Sequence, residues 1–485
     1  MSSFYEIYAF IFSNLIWINI ILGIILVFIE RKNPTSTWLW LMVLTFLPGI
    51  GFILYLFLGQ DLSKKKMFQS KDGQLNYLEA LAKVQEIQID ANEFNYGDPN
   101  YAHYKDLIKM HLINNNAYYS QDNKVELYYS GEEKFKALLD SIKNAEDFIH
   151  MEYYIFKRDN IGKKVLDALA EKAEEGLDVK LLVDGMGGRF LSRRFLKPYR
   201  DAGVKIAIFF PAFVPLISIR INYRNHRKIC IIDGKEAYLG GFNIGDEYLG
   251  LSKKFGNWRD THIKIKGSAV TSLHRRFFLD WRFATKEEIG NNYSFLPEES
   301  SNQKVGLQIV SSGPDSKWPG IKDGYMRMVT NARNKVYIET PYFIPDDSMY
   351  ESLKIAALSG VDVRVMIPNK PDHLFVYWAG LSYIGELLHA GIRFYTYEKG
   401  FNHAKVFIMD DFVSSVGTAN LDIRSFKLNF EVNAFIYDES INIKLTERFI
   451  SDLKDCKEIT LEDYDKRSNI VKIKESISRL LSPLL

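Results

Sequence analysis

The sequence predicts an α/β protein built as two tandem halves, each a mixed β-sheet flanked by helices, preceded by an N-terminal transmembrane helical hairpin. Three observations carry that expectation. From about residue 119 onward short apolar runs alternate with amphipathic stretches, one strand-helix-strand plan occurs twice, and the first 60 residues hold two long segments without a charge.

The hairpin comes first. Residues 7–29, "IYAFIFSNLIWINIILGIILVFI", are uncharged and long enough to cross a hydrocarbon core of about 30 Å. They show neither a basic leader nor a small-residue cleavage site, so a removed signal peptide is the weaker reading. Residues 34–60 form a second uncharged segment, which either spans as well or re-enters, broken at Pro48 and Gly49. Arg31 and Lys32 occupy the short connection, whereas Lys64, Lys65 and Lys66 follow the second segment. That imbalance puts the N-terminus and the large remainder on the cytoplasmic side. The expected boundaries are 1–60 for the hairpin, 61–118 for a helical connector, and 119–290 and 304–485 for the two halves.

In the first half, "FIHMEYYIF" (148–156) reads as a strand, "GKKVLDALAEKAEEG" as a helix closed by Gly176, and "VKLLVDG" as the next strand. "KVYIETPYFI" (335–344), "SMYESLKIAALSG" and "VDVRVMIP" repeat the plan, and "DAGVKI" (201–206) is echoed by "HAGIRF" (389–394). The first copy carries an insertion, "AIFFPAFVPLISI" (207–219), too short to span a bilayer. With Arg220 and Arg224 just behind, it dips into the interface, lines a path for acyl chains or is an ordinary buried loop.

Charge and cysteine content narrow the function. Sixty-two Lys and Arg against 60 Asp and Glu leave a formal +2, which speaks against wrapping nucleic acid on a broad basic face. Cys230 and Cys456 are far apart and fit neither a metal spacing nor a disulfide framework, as in a reducing compartment; both read as spectator thiols.

The chemistry is written in a second repetition. "NHRKICIIDG" (225–234) returns as "NHAKVFIMDD" (402–411), so that His226, Lys228 and Asp233 recur as His403, Lys405 and Asp410, with Asn243 and Asn420 in register behind them. On a strand the His and Lys of each copy share a face, and each Asp falls at a hairpin turn. A Lys and an Asp at those offsets arise by chance after about one His in 250. The chain has nine histidines, so two accidental matches are not a credible account.

Metal binding suits these residues poorly, because Lys is no ligand at neutral pH. Lys and Asn are donors for a centre of negative charge, and a phosphodiester in its transition state is such a centre. Two imidazoles across one phosphorus supply a nucleophile and an acid, provided that they hold opposite protonation states. Orienting a His takes a carboxylate on its other nitrogen. Asp260, in "WRDTHIKI", and Glu431, in "LNFEVNAF", are the candidates. His150 and His262 read as core or surface residues.

These motifs resemble those of the phospholipase D superfamily, whose signature is His-x-Lys-x4-Asp present twice and followed by Gly-Gly/Ser-x-Asn, here "GGFN" (240–243) and "GTAN" (417–420). With the N-terminal hairpin and the terminal "LLSPLL", the chain more narrowly resembles bacterial cardiolipin synthases. The resemblance implies two tandem phospholipase D-like halves and phosphatidyl transfer between two phosphatidylglycerol molecules, without metal or cofactor, through a phosphatidyl-histidine. It implies His226 as nucleophile and His403 as acid and then base, though the near symmetry of the halves leaves the reverse order open. Lys228, Lys405, Asn243 and Asn420 would bind the phosphate, and Asp233 and Asp410 would fix the loop and the lysines. Phosphatidylglycerol and cardiolipin are the expected partners, and nucleic acid is not. A membrane-bound phospholipase D-type hydrolase, transfer to another alcohol and a membrane-tethered nuclease are the competing activities, the last disfavoured by the near-neutral charge.

The C-terminal "SNIVKIKESISRLLSPLL" places Ile470, Ile473, Ile477, Leu480, Leu481 and Leu484 on one helical face. Such a face either seats the body on the bilayer or packs on its own domain.

Overall fold

The computed structural model describes residues 15–24, 34–47, 50–51, 54–55, 73–211, 222–287, 293 and 304–482. The chain divides into two compact units, Met1–Lys65 with Ala212–Tyr223, and Lys66–Pro211 with Arg224–Leu485.

In the first unit, helices Leu15–Ile24 and Pro34–Phe46 touch each other, and Trp40 meets Tyr55 edge to face at 5.2 Å. The expected membrane segments 7–29 and 34–60 lie in good part outside the described residues. Among those described, no helix is long and apolar enough to cross a membrane. Residues 212–219 of the insertion are likewise outside them, and 207–209 simply finish a strand.

The second unit begins with helices Gly73–Asp90 and Lys105–Asn115, inside the expected connector. They are no loose tether: Ala82, Ile89, Leu107, Ile108 and Leu112 join one core with Tyr325, Val336, Phe407 and Phe435 of the C-terminal half. Gln308 Nε2 donates to the carbonyls of Ile108 and Ala117, so polar and apolar contacts agree.

Strands then follow in chain order. The N-terminal half holds β1 (Tyr119–Tyr128), β2 (Phe148–Tyr153), β3 (Asp178–Asp184), β4 (Lys205–Phe209), β5 (Arg224–Asn225), β6 (Lys228–Ile232), β7 (Glu236–Gly240), β8 (Asn257–Arg259) and β9 (His262–Lys266). The C-terminal half holds β10 (Val305–Ser312), β11 (Lys335–Glu339), β12 (Phe343–Ile344), β13 (Asp362–Pro368), β14 (Arg393–Tyr397), β15 (Gly400–Asn402), β16 (Val406–Met409), β17 (Val413–Gly417), β18 (Leu421–Asp422), β19 (Asn429–Tyr437) and β20 (Cys456–Ile459). Helices form where the apolar period and the caps agree. Helix Asn160–Glu174 is capped by Asp159 and followed by Gly176 at φ +98°; helix Asp347–Leu358 is capped by Asp346 and followed by Gly360 at φ +93°.

One finding departs from the expectation of a separate sheet in each half. The order is β4-β3-β2-β6-β7-β9-β1-β10-β19-β17-β16-β11-β13-β14-β20, a single sheet in which the second half mirrors the first about the antiparallel pair β1–β10. β1 achieves this by length: residues 124–128 pair with β9 and residues 119–123 with β10. Two sheets kept apart would each leave an edge of unpaired N–H and C=O groups, which this fusion removes. Within each half the crossover strands, β2-β3-β4 and β11-β13-β14, are parallel, and the hairpins are antiparallel.

Candidate active site at the seam of the two halves

Each motif histidine stands just before a hairpin strand, and the short strand leading to it pairs with the opposite half. β5 runs parallel to the start of β19, and the His226 N–H donates to the Phe430 carbonyl at 2.9 Å. β15 runs parallel to β8, and the His403 N–H donates to the Arg259 carbonyl at 2.7 Å. The side chains cross over too. His226 Nδ1 lies 2.9 Å from Glu431 Oε2, and His403 Nδ1 lies 2.7 Å from Asp260 Oδ2. Each half therefore supplies the carboxylate that orients the other half's imidazole. With Nδ1–H given to a carboxylate, Nε2 is the nitrogen left for chemistry.

Lys228 and Lys405 are buried beside them. Lys228 Nζ donates to the His226 carbonyl at 2.7 Å, and Lys405 Nζ to the His403 carbonyl. An ammonium carries three N–H donors, so two on each lysine remain for an anion. Tyr154 meets the His226 ring edge-on at 4.9 Å, while Trp258 packs on His403 at 5.3 Å. The two motifs feel one another's charge: Lys405 acts on His226 and on Lys228, and Lys228 acts on His403.

Burial dominates the proton affinities. It lowers both imidazoles to about 4, against the pull of Glu431 on His226 and with the help of Lys405 at His403. It also lowers Lys228 to about 7 and Lys405 to about 8. Glu431 goes the other way: burial alone would raise it, but His226 and Lys228 hold it below the usual range. Without a ligand the two imidazoles are thus neutral at pH 7, and a bound anion is what would let one of them keep a proton.

Asp233 and Asp410 take no part in this cluster. They sit at the far ends of β6 and β16, at φ +54° and +48°. Asp233 accepts the backbone N–H groups of Glu146, Asp147 and Phe148 at 2.8–3.0 Å, and Asp410 those of Arg333, Asn334 and Lys335 at 2.8–3.0 Å. Each staples its hairpin turn to the strand next to it. Asn243 accepts from the Ile155 N–H at 3.0 Å and donates to Tyr248 Oη, while Asn420 donates to Asp422 Oδ2 at 3.1 Å. Each carboxamide nitrogen retains a second N–H. His150 and His262 are both buried; His150 lies in a ring cluster with His274 and Phe277.

Two arginines escaped the reading of the sequence. Arg227 Nε donates to the Glu431 carbonyl at 3.2 Å while its Nη1 is held by Asp280 at 2.7 Å; Arg259 Nη1 donates to the Asp260 carbonyl while its Nε is held by Asp452 at 2.6 Å. Each grips the backbone of an orienting carboxylate from behind. Repetition could not reveal them, since Ala404 and Phe430 stand at the matching positions; a charge inside a run of strand residues was the available signal.

The model of the family described as "Cardiolipin synthase, PLD-like domain" matches residues 138–279 and 325–453. The chain belongs to the cardiolipin synthase family of the phospholipase D superfamily. A second model, "Phospholipase_D-nuclease N-terminal", matches residues 16–60. Among curated cardiolipin synthases, the major cardiolipin synthase ClsA of Bacillus subtilis (strain 168) is 50% identical over 472 residues, covering 96% of this chain and 97% of that one. The cardiolipin synthase of Listeria monocytogenes serotype 4a (strain HCC23) is 48% identical over 478 residues, covering 98% and 99%. The crystal structure of phosphatidylserine synthase from Haemophilus influenzae Rd KW20 shares the fold, with a TM-score of 0.60 at 16% identity over 78% of this chain and 100% of that one.

Proposed function

We propose that this protein is a cardiolipin synthase that transfers a phosphatidyl group between two phosphatidylglycerol molecules through a phosphohistidine, with no metal or cofactor. The reciprocal pairing of each imidazole with the opposite half's carboxylate carries the reading. His226 Nε2 attacks phosphorus; a P–N bond forms as the P–O bond to glycerol breaks, and His403 Nε2 gives its proton to the leaving oxygen. A hydroxyl of the second phosphatidylglycerol then loses its proton to His403 and attacks phosphorus, and the P–N bond breaks. Lys228 and Lys405, with the second N–H of Asn243 and Asn420, hold the non-bridging oxygens, where donors strengthen as charge develops. Asp233 and Asp410 serve by fixing the turns.

The test is adduct trapping. The His403→Ala variant, mixed with labelled phosphatidylglycerol, should accumulate label on His226; label on His403 of His226→Ala instead would exchange the roles, and no adduct on either would reject the covalent route. Vesicle assays should yield one glycerol per cardiolipin, whereas phosphatidic acid as main product would mean hydrolysis.

The uncharged stretches and the match over residues 16–60 support a membrane hairpin of segments 7–29 and 34–60, with a cytoplasmic body. Residues 61–118 lead into halves 119–290 and 304–485. Cysteine accessibility on either side of the membrane checks that topology.

A further inference from the structure

The C-terminal helix, Asn469–Leu480, turns two polar residues inward. Its buried side carries Ser478 and Glu475, the latter ion-paired with Arg467 at 2.9 Å. Its apolar residues face outward: Ile470 is 66% exposed, Ile473 58%, Ile477 53% and Leu480 81%. At about 100° per residue these four make one stripe, turned away from the Glu475–Ser478 side. Of the face expected from the sequence, Leu481 is half-buried and Leu484 lies outside the described residues. The helix does pack on its domain, against Leu374–Ser382, but it does so with its back.

The helix it packs on also exposes large apolar residues, Leu374 at 63% and Phe375 at 56%. Lys474 borders the stripe, its Nζ 5.3 Å from the Trp378 ring, and Arg479 lies 4.7 Å from the Tyr383 ring. Every exposed charge on the C-terminal helix is positive, namely Lys472, Lys474 and Arg479, because its one acid, Glu475, is buried. Leu374 follows shortly after the end of β13, which β11 separates from the start of β16 next to Lys405, and Asp372 is among the charges acting on Lys405.

We propose that this face docks on the surface of an anionic lipid bilayer, with the C-terminal helix lying in the interface plane and its isoleucines among the acyl chains. The geometry is that of an interfacial helix, an apolar stripe bordered by cations long enough to reach the headgroups. A second copy of the chain fits the patch less well, because a twofold contact would set Lys472, Lys474 and Arg479 against their own duplicates. The proposal goes beyond the reaction but rests on the reading that the substrate is a membrane lipid.

The test uses the full chain in vesicles of phosphatidylglycerol and phosphatidylcholine, with Cys456→Ser and a fluorophore on Ile473→Cys or, about 100° round the helix outside the stripe, on Lys472→Cys. The label at 473 should be quenched by lipid-borne spin labels and shielded from iodide, and the label at 472 should be quenched less and reached more by iodide. Iodide access at 473 in every lipid mixture would overturn the proposal, as would self-quenching that follows protein concentration and ignores lipid. The double variant Ile473→Glu and Ile477→Glu should lower the ratio of activity on vesicles to activity on dispersed short-chain phosphatidylglycerol about tenfold; an unchanged ratio would also overturn it. Wild-type protein that turned over neither substrate would reject the reaction, while the quenching result would still decide the docking.

Discussion

Replacing Glu431 by Gln removes one charge from the C-terminal half and should disable the histidine of the N-terminal half. Glu431 Oε2 is 2.9 Å from His226 Nδ1, and the side chain is fully buried. With charge centres about 4 Å apart and an effective dielectric of about 20, the carboxylate stabilises a positive imidazole by about 4 kcal/mol. The ring becomes positive when Nε2 bonds to phosphorus, so that sum falls on the transition state. Adduct formation should slow about 1000-fold, at about 1.4 kcal/mol per decade. The assay is single-turnover labelling from phosphatidylglycerol, with thermal melting to verify folding and lipid binding measured separately; the loss should appear in the rate and not in the binding. In a His226→Ala background, Glu431→Gln should cost nothing more. A folded Glu431→Gln enzyme within tenfold of wild type, or one whose loss persists without His226, would refute the crossed pairing as a working unit.

Asp260→Asn should act in the same way through His403, slowing both glycerol release and attack by the acceptor, as resolved by following each product. Ligand binding should take up protons: both imidazoles are lowered to about 4, burial first among the causes, and a phosphodiester anion favours their charged form. Affinity for a dispersed phosphodiester analogue should therefore rise as pH falls from about 8 to about 5, and calorimetry in buffers of different ionisation enthalpy would detect the uptake; its absence contradicts the scheme. Asp233→Ala and Asp410→Ala each orphan three backbone N–H groups at a left-handed turn and should cost about 2–4 kcal/mol in urea unfolding, with activity per folded molecule little changed. Lys134 is buried and lowered to about 7 by desolvation, so folding pays for its deprotonation below its unfolded value near 10.4. Stability should rise with pH from about 7 to about 10, and Lys134→Met should add about 3 kcal/mol at pH 7 after losing the bond to Tyr153, read as a raised melting temperature.

Local signals were legible where one segment contains its own cause. Gly176 and Gly360 close their helices at positive φ, as the repeated "helix then Gly" pattern implies, and the two motifs place Lys228 at the start of one hairpin strand and Lys405 just before the other. The connector was read as helical, but nothing in residues 61–118 says that Leu107 and Ile108 belong to the core of the C-terminal half and not the nearer one. Asp260 and Glu431 could be singled out by type and register, but not matched to their partners.

Composition and spacing determined the duplication and the set of groups able to handle a phosphodiester, and the resemblance of the repeated motifs pointed to the family, because residue identity and periodicity are properties of the chain itself. Only the tertiary structure decided that the sheet is one and not two, that His226 leans on Glu431 and His403 on Asp260, and that Arg227 and Arg259 brace those carboxylates. The physical reason is the antiparallel β1–β10 pairing, which turns one half about onto the other. A contact made across such a seam joins residues some 140 to 200 positions apart, and no window along the sequence is wide enough to contain both.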